Sequence, residues 1–349
     1  MTYVNEKEVK GMSIYKNKKI LIIGGTGTIG QYLLKELLLH EPKVVRVFSR
    51  DEFKQFELQQ ELFEYKNIRY LIGDIRDEKR VTRAMEDIDY VFHLAAMKHV
   101  PACEYNPFEA VKTNVIGTQN VIQAALENGV KKVLFTSTDK AISPVNTYGA
   151  TKLTAERLIS AAQYQKGPKA TIFSSVRFGN VMGSRGSVIP LFKKQIIEQG
   201  RVTITDKNML RYMMTPSQAI QLILKANELA VGGEVFVLKM PVIKLKDLVE
   251  VLMEEYSKLY QISKNVNIEE IGLRPGEKRY EELMTEEEFR IALETNDMYI
   301  LRPSFGGERI EYSEKILKPK GTSSYPSDVD AINKETLRKW LIEEQLLLV

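Results

Sequence analysis

The chain has 349 residues, 44% of them hydrophobic and 28% charged, with 50 Lys and Arg against 46 Asp and Glu for a formal net charge of +4. That length allows two lobes with an ample core, and the small positive surplus argues against nucleic-acid binding while suiting an anionic small substrate. One cysteine, Cys103, excludes an intramolecular disulfide; three histidines without clustered cysteines argue against catalytic zinc; no apolar run approaches the roughly 20 residues of a transmembrane helix. The polar stretch Met1–Lys18 does not read as a signal peptide, so the expectation is a cytoplasmic protein with neither membrane nor nucleic acid as partner.

Lys19–Ile23 is a short apolar run that ends in Gly24-Gly25-Thr26-Gly27-Thr28-Ile29-Gly30 and passes into Gln31–Leu39, whose leucines recur at helical spacing. Strand, glycine turn and helix in that order let the backbone approach a pyrophosphate at a helix N-terminus, so Gly24, Thr26, Gly27, Thr28, Ile29 and Gly30 are candidate cofactor contacts. Alone, such a turn is also an ordinary βα junction. The second strand, Val44–Ser49, runs into Ser49-Arg50-Asp51, where a carboxylate selects NAD and an arginine accommodates the 2′-phosphate of NADP. Ser49 and Arg50 tilt the choice toward NADP, with Asp51 one or two places late for a ribose. A third strand, Ile68–Ile72, puts Asp74 and Ile75 where such folds flank the adenine, and Val81–Met85 follows as helix.

Tyr90–Leu94 is the fourth strand, with Leu94, Ala95 and Ala96 at its end, and Thr113–Asn128 is helical. Strand Lys132–Thr136 leads to Ser137-Thr138-Asp139-Lys140, and the helix Tyr148–Gln165 carries Tyr148 and Lys152 on one face, about one turn apart. There the Lys152 ammonium is expected to hold the phenol below its usual pKa of about 10, making a general base for alcohol oxidation by a nicotinamide cofactor. Asp139 and Lys140 add an acid and a second base. A sixth strand, Ala170–Val176, completes an alternation that gives a doubly wound parallel sheet with ligands at its carboxyl edge.

After Asn180 the rhythm breaks. Gly183–Gly186 is a loop, Val188–Gln199, Ser217–Ala230 and Lys246–Tyr260 read as helices, and Val202–Thr205, Val235–Leu238 and Val266–Ile271 as short strands. The expected division is an N-terminal extension over 1–18 and a dinucleotide-binding domain over 19–182, to which 215–240 returns. A smaller lobe follows over 183–214 and 241–322, and a tail over 323–349 ends in an amphipathic helix around Trp340.

Several blocks in order carry a more specific signal: Leu94–Pro101, Ser137–Lys140, Arg177–Val181, Gly183–Pro190, Arg211–Thr215 and Leu273–Lys278. Together they resemble the extended short-chain dehydrogenases/reductases that act on nucleotide sugars, and among these the UDP-N-acetylglucosamine 4,6-dehydratases of polysaccharide biosynthesis, from about Lys19 to Glu282. Two departures are Ile23, where a threonine is common, and the lack of the large N-terminal extension of membrane-anchored relatives. The resemblance implies an α/β protein: a Rossmann-like doubly wound parallel sheet with a smaller C-terminal α/β substrate-binding lobe. It also implies tightly bound NADP or NAD regenerated each turnover, a UDP-sugar substrate and a homo-oligomer.

It further implies roles for residues. Tyr148, helped by Lys152, takes the proton of the sugar 4-hydroxyl, which Thr138 hydrogen-bonds. A neutral Lys140 removes the C5 proton, and Asp139, with a raised pKa, protonates the departing 6-hydroxyl. Lys98 and His99 contact the sugar, Asn180, Arg211, Arg274 and Glu277 hold uridine and diphosphate, and Val188 is a further substrate contact. Leu273–Met284 looks more like relatives that retain the C5 configuration, and Lys239–Leu248 and Tyr148 more like those that invert it; the balance tilts toward retention. Two rivals are a UDP-sugar 4-epimerase, in which Asp139 and Lys140 have no task, and a non-catalytic NAD(P)-binding regulatory protein.

Overall fold

The computed structural model describes residues 13–262, 266–273, 278, 280–303, 312, 316–319 and 330–348. Its first half alternates strand and helix: β1 (Lys19–Ile23), α1 (Thr28–Leu39), β2 (Val44–Ser49), α2 (Glu52–Glu61), β3 (Ile68–Ile72), α3 (Glu78–Met85), β4 (Tyr90–His93), α4 (Val100–Tyr105), α5 (Pro107–Ala110), α6 (Gly117–Glu127), β5 (Lys132–Thr136), α7 (Thr147–Gln165) and β6 (Ile172–Arg177). The second half holds β7 (Asn180–Val181), α8 (Val188–Lys194), β8 (Arg201–Ile204), β9 (Leu210–Met214), α9 (Pro216–Leu229), β10 (Val235–Leu238), β11 (Val242–Lys244), α10 (Leu245–Leu259) and β12 (Asn267–Glu270). It closes with α11 (Glu286–Ile291), β13 (Leu293–Glu294), β14 (Met298–Leu301) and α12 (Lys334–Glu343).

Among the described residues the main sheet runs β13-β14-β10-β6-β5-β4-β1-β2-β3. The strands from β10 to β3 pair in parallel, and β14 closes that edge antiparallel. Ile20, Leu21 and Ile22 of β1 are all fully buried, on both faces, as a central parallel strand covered by helices requires. Lys132, at the start of β5, crosses to the end of α9, where its Nζ donates to the carbonyls of Asn227, Glu228 and Ala230 at 2.7, 3.1 and 3.0 Å. This cation satisfies carbonyls that a helix end leaves without partners. A second sheet, β11-β9-β7, and the pair β12-β8 form the smaller layer beside the carboxyl edge of the main one.

Some boundaries differ from the sequence expectation for local reasons. The helix expected from Val81 starts at Glu78, because Asp77 accepts from Arg80 N–H and caps it. The helix expected over Thr113–Asn128 is preceded by a π-helical turn, Val111–Ile116, before α6, and α8 likewise widens into a π turn over Gln195–Gln199. The fourth strand ends at His93, and the sixth spans Ile172–Arg177.

One buried ionic cluster ties the late chain to the sheet. Arg177, at the end of β6, donates to Glu156 of α7 at 2.6 and 3.2 Å, to Glu288 of α11 at 2.8 and 3.1 Å, and to Leu283 O at 3.1 Å. Glu288 also closes the capping box of α11 with Thr285. The segment that leads into α11 is therefore fixed against β6 and α7.

Candidate active site

At the carboxyl edge of β4, β5 and β6, under the smaller layer, lies a cavity of about 520 Å³. Its cofactor side begins at the turn after β1. Gly24 has φ +85°, and a Cβ there would stand 2.8 Å from Ala95 N, so the turn after β1 and the end of β4 approach as closely as backbone allows. Gly27 sits at the cap of α1 with no side-chain bond to the first N–H groups, leaving them as donors for a phosphate. Thr26 and Gly30 are buried within the turn, and Thr28 Oγ1 accepts from Arg185 N–H at 3.2 Å, so the 183–186 loop closes over it. Ile29, Leu94 and Ala96 line the cavity. This cradle suits a dinucleotide pyrophosphate.

The residues expected at the adenosine end follow the neighbouring strands. Ser49 Oγ accepts from Gln55 at 3.0 Å, and Arg50, 57% exposed in its side chain, stands 3.7 Å from Asp74. Asp74 is itself gripped by Arg76 at 2.7 Å. Asp51 caps α2 through Lys54 N–H and pairs with the Lys54 ammonium, which holds its carboxyl below the usual range, with a smaller pull from Arg185. Ile75 is buried in the core beneath Gly117, its carbonyl accepting from Asn120 at 3.0 Å.

The catalytic candidates share the opposite wall. After β5 the chain makes a short 3₁₀ turn, Asp139–Ala141, anchored to β6 by Asp139 N donating to Phe178 O at 3.1 Å. Gly149 lets α7 press on this turn, since a Cβ there would meet Lys140 O at 2.1 Å. Thr138 Oγ1 donates to Asp139 Oδ1 at 2.8 Å and is hydrogen-bonded with the Tyr148 hydroxyl. Lys140 Nζ lies 3.1 Å from both Asp139 oxygens and 3.3 Å from Glu281 Oε1. Lys152 Nζ donates to Thr136 O at 2.5 Å and stands 3.9 Å over the Phe135 ring.

Two expected ionisation states are overturned. Burial pushes the Tyr148 phenol up rather than down, and the charge that draws it back is that of Lys140. Burial alone would lower Lys140, but the charges of Asp139 and Glu281 outweigh it, so Lys140 rests as an ammonium and not as the neutral amine expected. Lys152 does titrate low: burial brings it to about 7, with Glu156 opposing. His93, at the end of β4, is brought by burial to about 3, with Lys152 adding to the shift, and stays neutral.

Of the residues expected to contact the substrate, Lys98, His99, Asn180, Val188 and Arg211 all line the cavity. Burial and the nearby Lys140 lower the Lys98 pKa. Arg211 donates to Leu210 O at 3.0 Å and Lys278 O at 2.9 Å, and its Nε stands 3.5 Å from Glu281. Arg274 and Glu277 lie outside the described residues. Two residues absent from the sequence reading belong here. Asn114, in the π turn, accepts from Met97 N–H at 2.8 Å and donates to Met97 O at 3.0 Å and Thr151 Oγ1 at 2.9 Å, fixing the strand end against α7. Glu281 faces Lys140, and no local pattern marks it out; it is an unremarkable acid three residues after the Leu273–Lys278 block.

The family model described as polysaccharide biosynthesis protein matches residues 20–303. A solved structure described as the X-ray structure of Pen from Bacillus thuringiensis is 57% identical, with a TM-score of 0.89, covering 95% of this chain and 99% of its own. A protein of Campylobacter jejuni subsp. jejuni named UDP-N-acetylglucosamine 4,6-dehydratase (inverting) is 41% identical over 343 residues, 96% of this chain and 97% of its own. One of Rickettsia conorii named UDP-glucose 4-epimerase is 39% identical over 339 residues, 96% of each chain.

Proposed function

Because the chain belongs to the polysaccharide biosynthesis protein family, we propose that it is a UDP-N-acetylglucosamine 4,6-dehydratase. The observation that carries this reading is the Asp139–Lys140 pair, 3.1 Å apart in the wall that also holds Thr138 and Tyr148. An epimerase needs only the group that deprotonates the 4-hydroxyl; an acid–base pair beside it in the cavity wall serves the loss of water across C5 and C6. The name of the Campylobacter relative supports the substrate, and it favours inversion at C5 over the retention toward which Leu273–Met284 tilted the sequence reading. The smaller lobe, 183–214 with 241–322, receives the UDP moiety, and 19–182 with 215–240 holds the cofactor.

Gly24, Gly27 and the first N–H groups of α1 would hold a nicotinamide dinucleotide, which would supply a hydride acceptor for C4 and a hydride donor for C6. Tyr148 Oη takes the proton of the 4-hydroxyl as a phenolate, a form it reaches only after its own proton has left to solvent, because burial raises the phenol; Thr138 stands beside it. The resulting ketone acidifies C5–H. A single proton passing from Lys140 Nζ to the Asp139 carboxylate arms both groups at once, leaving an amine for C5–H and a carboxylic acid for O6. Elimination gives the C5 proton to Lys140 and the Asp139 proton to the departing hydroxyl. When hydride reaches C6, C5 takes a solvent-derived proton from the face opposite Lys140, and the proton Tyr148 took from O4 is released to solvent. Lys140 thus needs no lasting neutral form.

The cofactor reading is NADP. Asp51 is committed to capping α2 and Asp74 to Arg76 at 2.7 Å, while Arg50 is exposed and held only at 3.7 Å by Asp74, which favours a 2′-phosphate over a free ribose hydroxyl. Arg50→Ala is expected to weaken NADP binding about tenfold, the loss of one charge-assisted contact, and to leave NAD binding unchanged in a fluorescence titration.

The reading is tested by incubating the protein with UDP-N-acetylglucosamine in D₂O, followed by NMR and mass spectrometry. The expected product has lost one water, shows a C6 methyl signal and carries deuterium at C5, with H5 couplings of the inverted sugar. Unchanged mass with the 4-epimer appearing would establish the epimerase instead.

A further inference from the structure

Glu281 stands in the same cavity wall as Lys140, and the chemistry above gives it no task. Its Oε1 lies 3.3 Å from Lys140 Nζ and 3.5 Å from Arg211 Nε, and its Oε2 accepts from Asn180 Nδ2 at 2.8 Å. The residue is 8% exposed. An ammonium has three N–H donors, and Asp139 receives from this one through both its oxygens. Asp139, however, is the sequence neighbour of Lys140 in one short turn, so it holds Nζ from one side only. Glu281 holds it from another, because it arrives on another segment, which Arg177 ties to β6 through Leu283 O and Glu288.

We propose that Glu281 is the positioning residue of Lys140: it sets where Nζ stands relative to the sugar C5 and takes no part in oxidation at C4. The assignment rests on the 4,6-dehydratase reading. The charged groups that face Glu281 are Lys140 and Asp139 from the catalytic turn and Arg211 from β9; burial raises its carboxyl, and Lys140 draws it back. Tyr148 acts on the cluster from α7 through Lys140.

The two halves of the reaction separate experimentally. A UDP-sugar lacking the 6-hydroxyl reports C4 oxidation alone, by the absorbance of the reduced cofactor, while UDP-N-acetylglucosamine reports full turnover. In Glu281→Leu, kcat for water loss is expected to fall about 100-fold, the cost of a base misplaced by about 1 Å, with C4 oxidation at saturating sugar within about threefold of wild type and KM raised, because Asn180 and Arg211 lose their carboxylate. Glu281→Gln, whose amide oxygen still accepts from Lys140, is expected to recover about tenfold of that loss. Losing one of the two carboxylates around Lys140 also makes its ammonium easier to deprotonate, so in Glu281→Gln the alkaline fall-off of water loss moves to lower pH. Equal loss in both halves, unchanged water loss in Glu281→Leu, or an unmoved alkaline limb in Glu281→Gln overturns the assignment. The limb is read on Glu281→Gln alone, so the test holds where the leucine variant does not fold. A wild-type protein that oxidises neither sugar overturns the dehydratase reading itself.

Discussion

Lys140→Ala is expected to lower water loss about 1,000-fold, the middle of the range for removing a general acid–base group, while C4 oxidation continues. The asymmetry follows from the wall described above. Tyr148 keeps its bond with Thr138, and Lys152 keeps its bond with Thr136 O at 2.5 Å, so the oxidising half retains its groups, slowed only as the Tyr148 phenol rises without the Lys140 charge. Asp139 and Glu281 then face each other without the cation between them, and one is driven to hold a proton. Asp139 still has an acid's proton to offer, but nothing removes C5–H. In a single turnover with UDP-N-acetylglucosamine the reduced cofactor should accumulate and persist, where in wild type it is transient. An unaltered dehydration rate would sink the assignment of Lys140 and, with it, the main distinction from an epimerase.

Arg177→Leu is expected to cost about 3–5 kcal/mol, a large part of the roughly 5–15 kcal/mol that a folded protein has in reserve. Arg177 is 1% exposed in its side chain and Glu156 0%, so the substitution leaves a carboxylate in the core without the guanidinium that hydrogen-bonds it. Thermal or urea denaturation should show the loss, and Arg177→Leu combined with Glu156→Leu should recover much of it, because an apolar pair of similar volume is close to neutral. A single variant as stable as wild type would show the cluster to be dispensable. Acid should act on the same knot. Burial raises Glu288, but the hydrogen bonds and charge of Arg177 outweigh it and leave the carboxyl below its ordinary 4.5. The stability from that depression is complete above the ordinary value and is lost as pH falls through the lowered one.

The strands Lys19–Ile23, Val44–Ser49, Ile68–Ile72, Lys132–Thr136 and Val235–Leu238 run between the residues where their apolar stretches begin and end. Lys19–Ile23, Lys132–Thr136 and Val235–Leu238 are buried along almost their whole length, whereas Ile68–Ile72 at the sheet edge is half exposed; all are short apolar runs that local composition marks. The two- and three-residue strands β7 and β11 carry no such pattern, and π turns share the periodicity of the helices they interrupt. Motif blocks place Thr138, Asp139, Lys140, Tyr148 and Lys152 near one another because a βα edge gathers strand ends. They do not give charge states, which depend on burial and on partners far along the chain. Glu281 reaches Lys140 from 141 residues away and Asn180 from 101, distances at which no local spacing carries information.

Those distances also set an order of assembly during synthesis. The glycine cradle, Tyr148 and Arg177 leave the ribosome before the segment that completes them, and Glu288 follows Arg177 by 111 residues. At cellular elongation rates that interval is roughly 5–20 s, during which Arg177 has Glu156 as its partner and Lys140 has no Glu281. The cofactor cradle can therefore form on the nascent chain, whereas the wall that eliminates water is finished last. A polypeptide stalled before Glu281 would present a dinucleotide site without a working dehydratase.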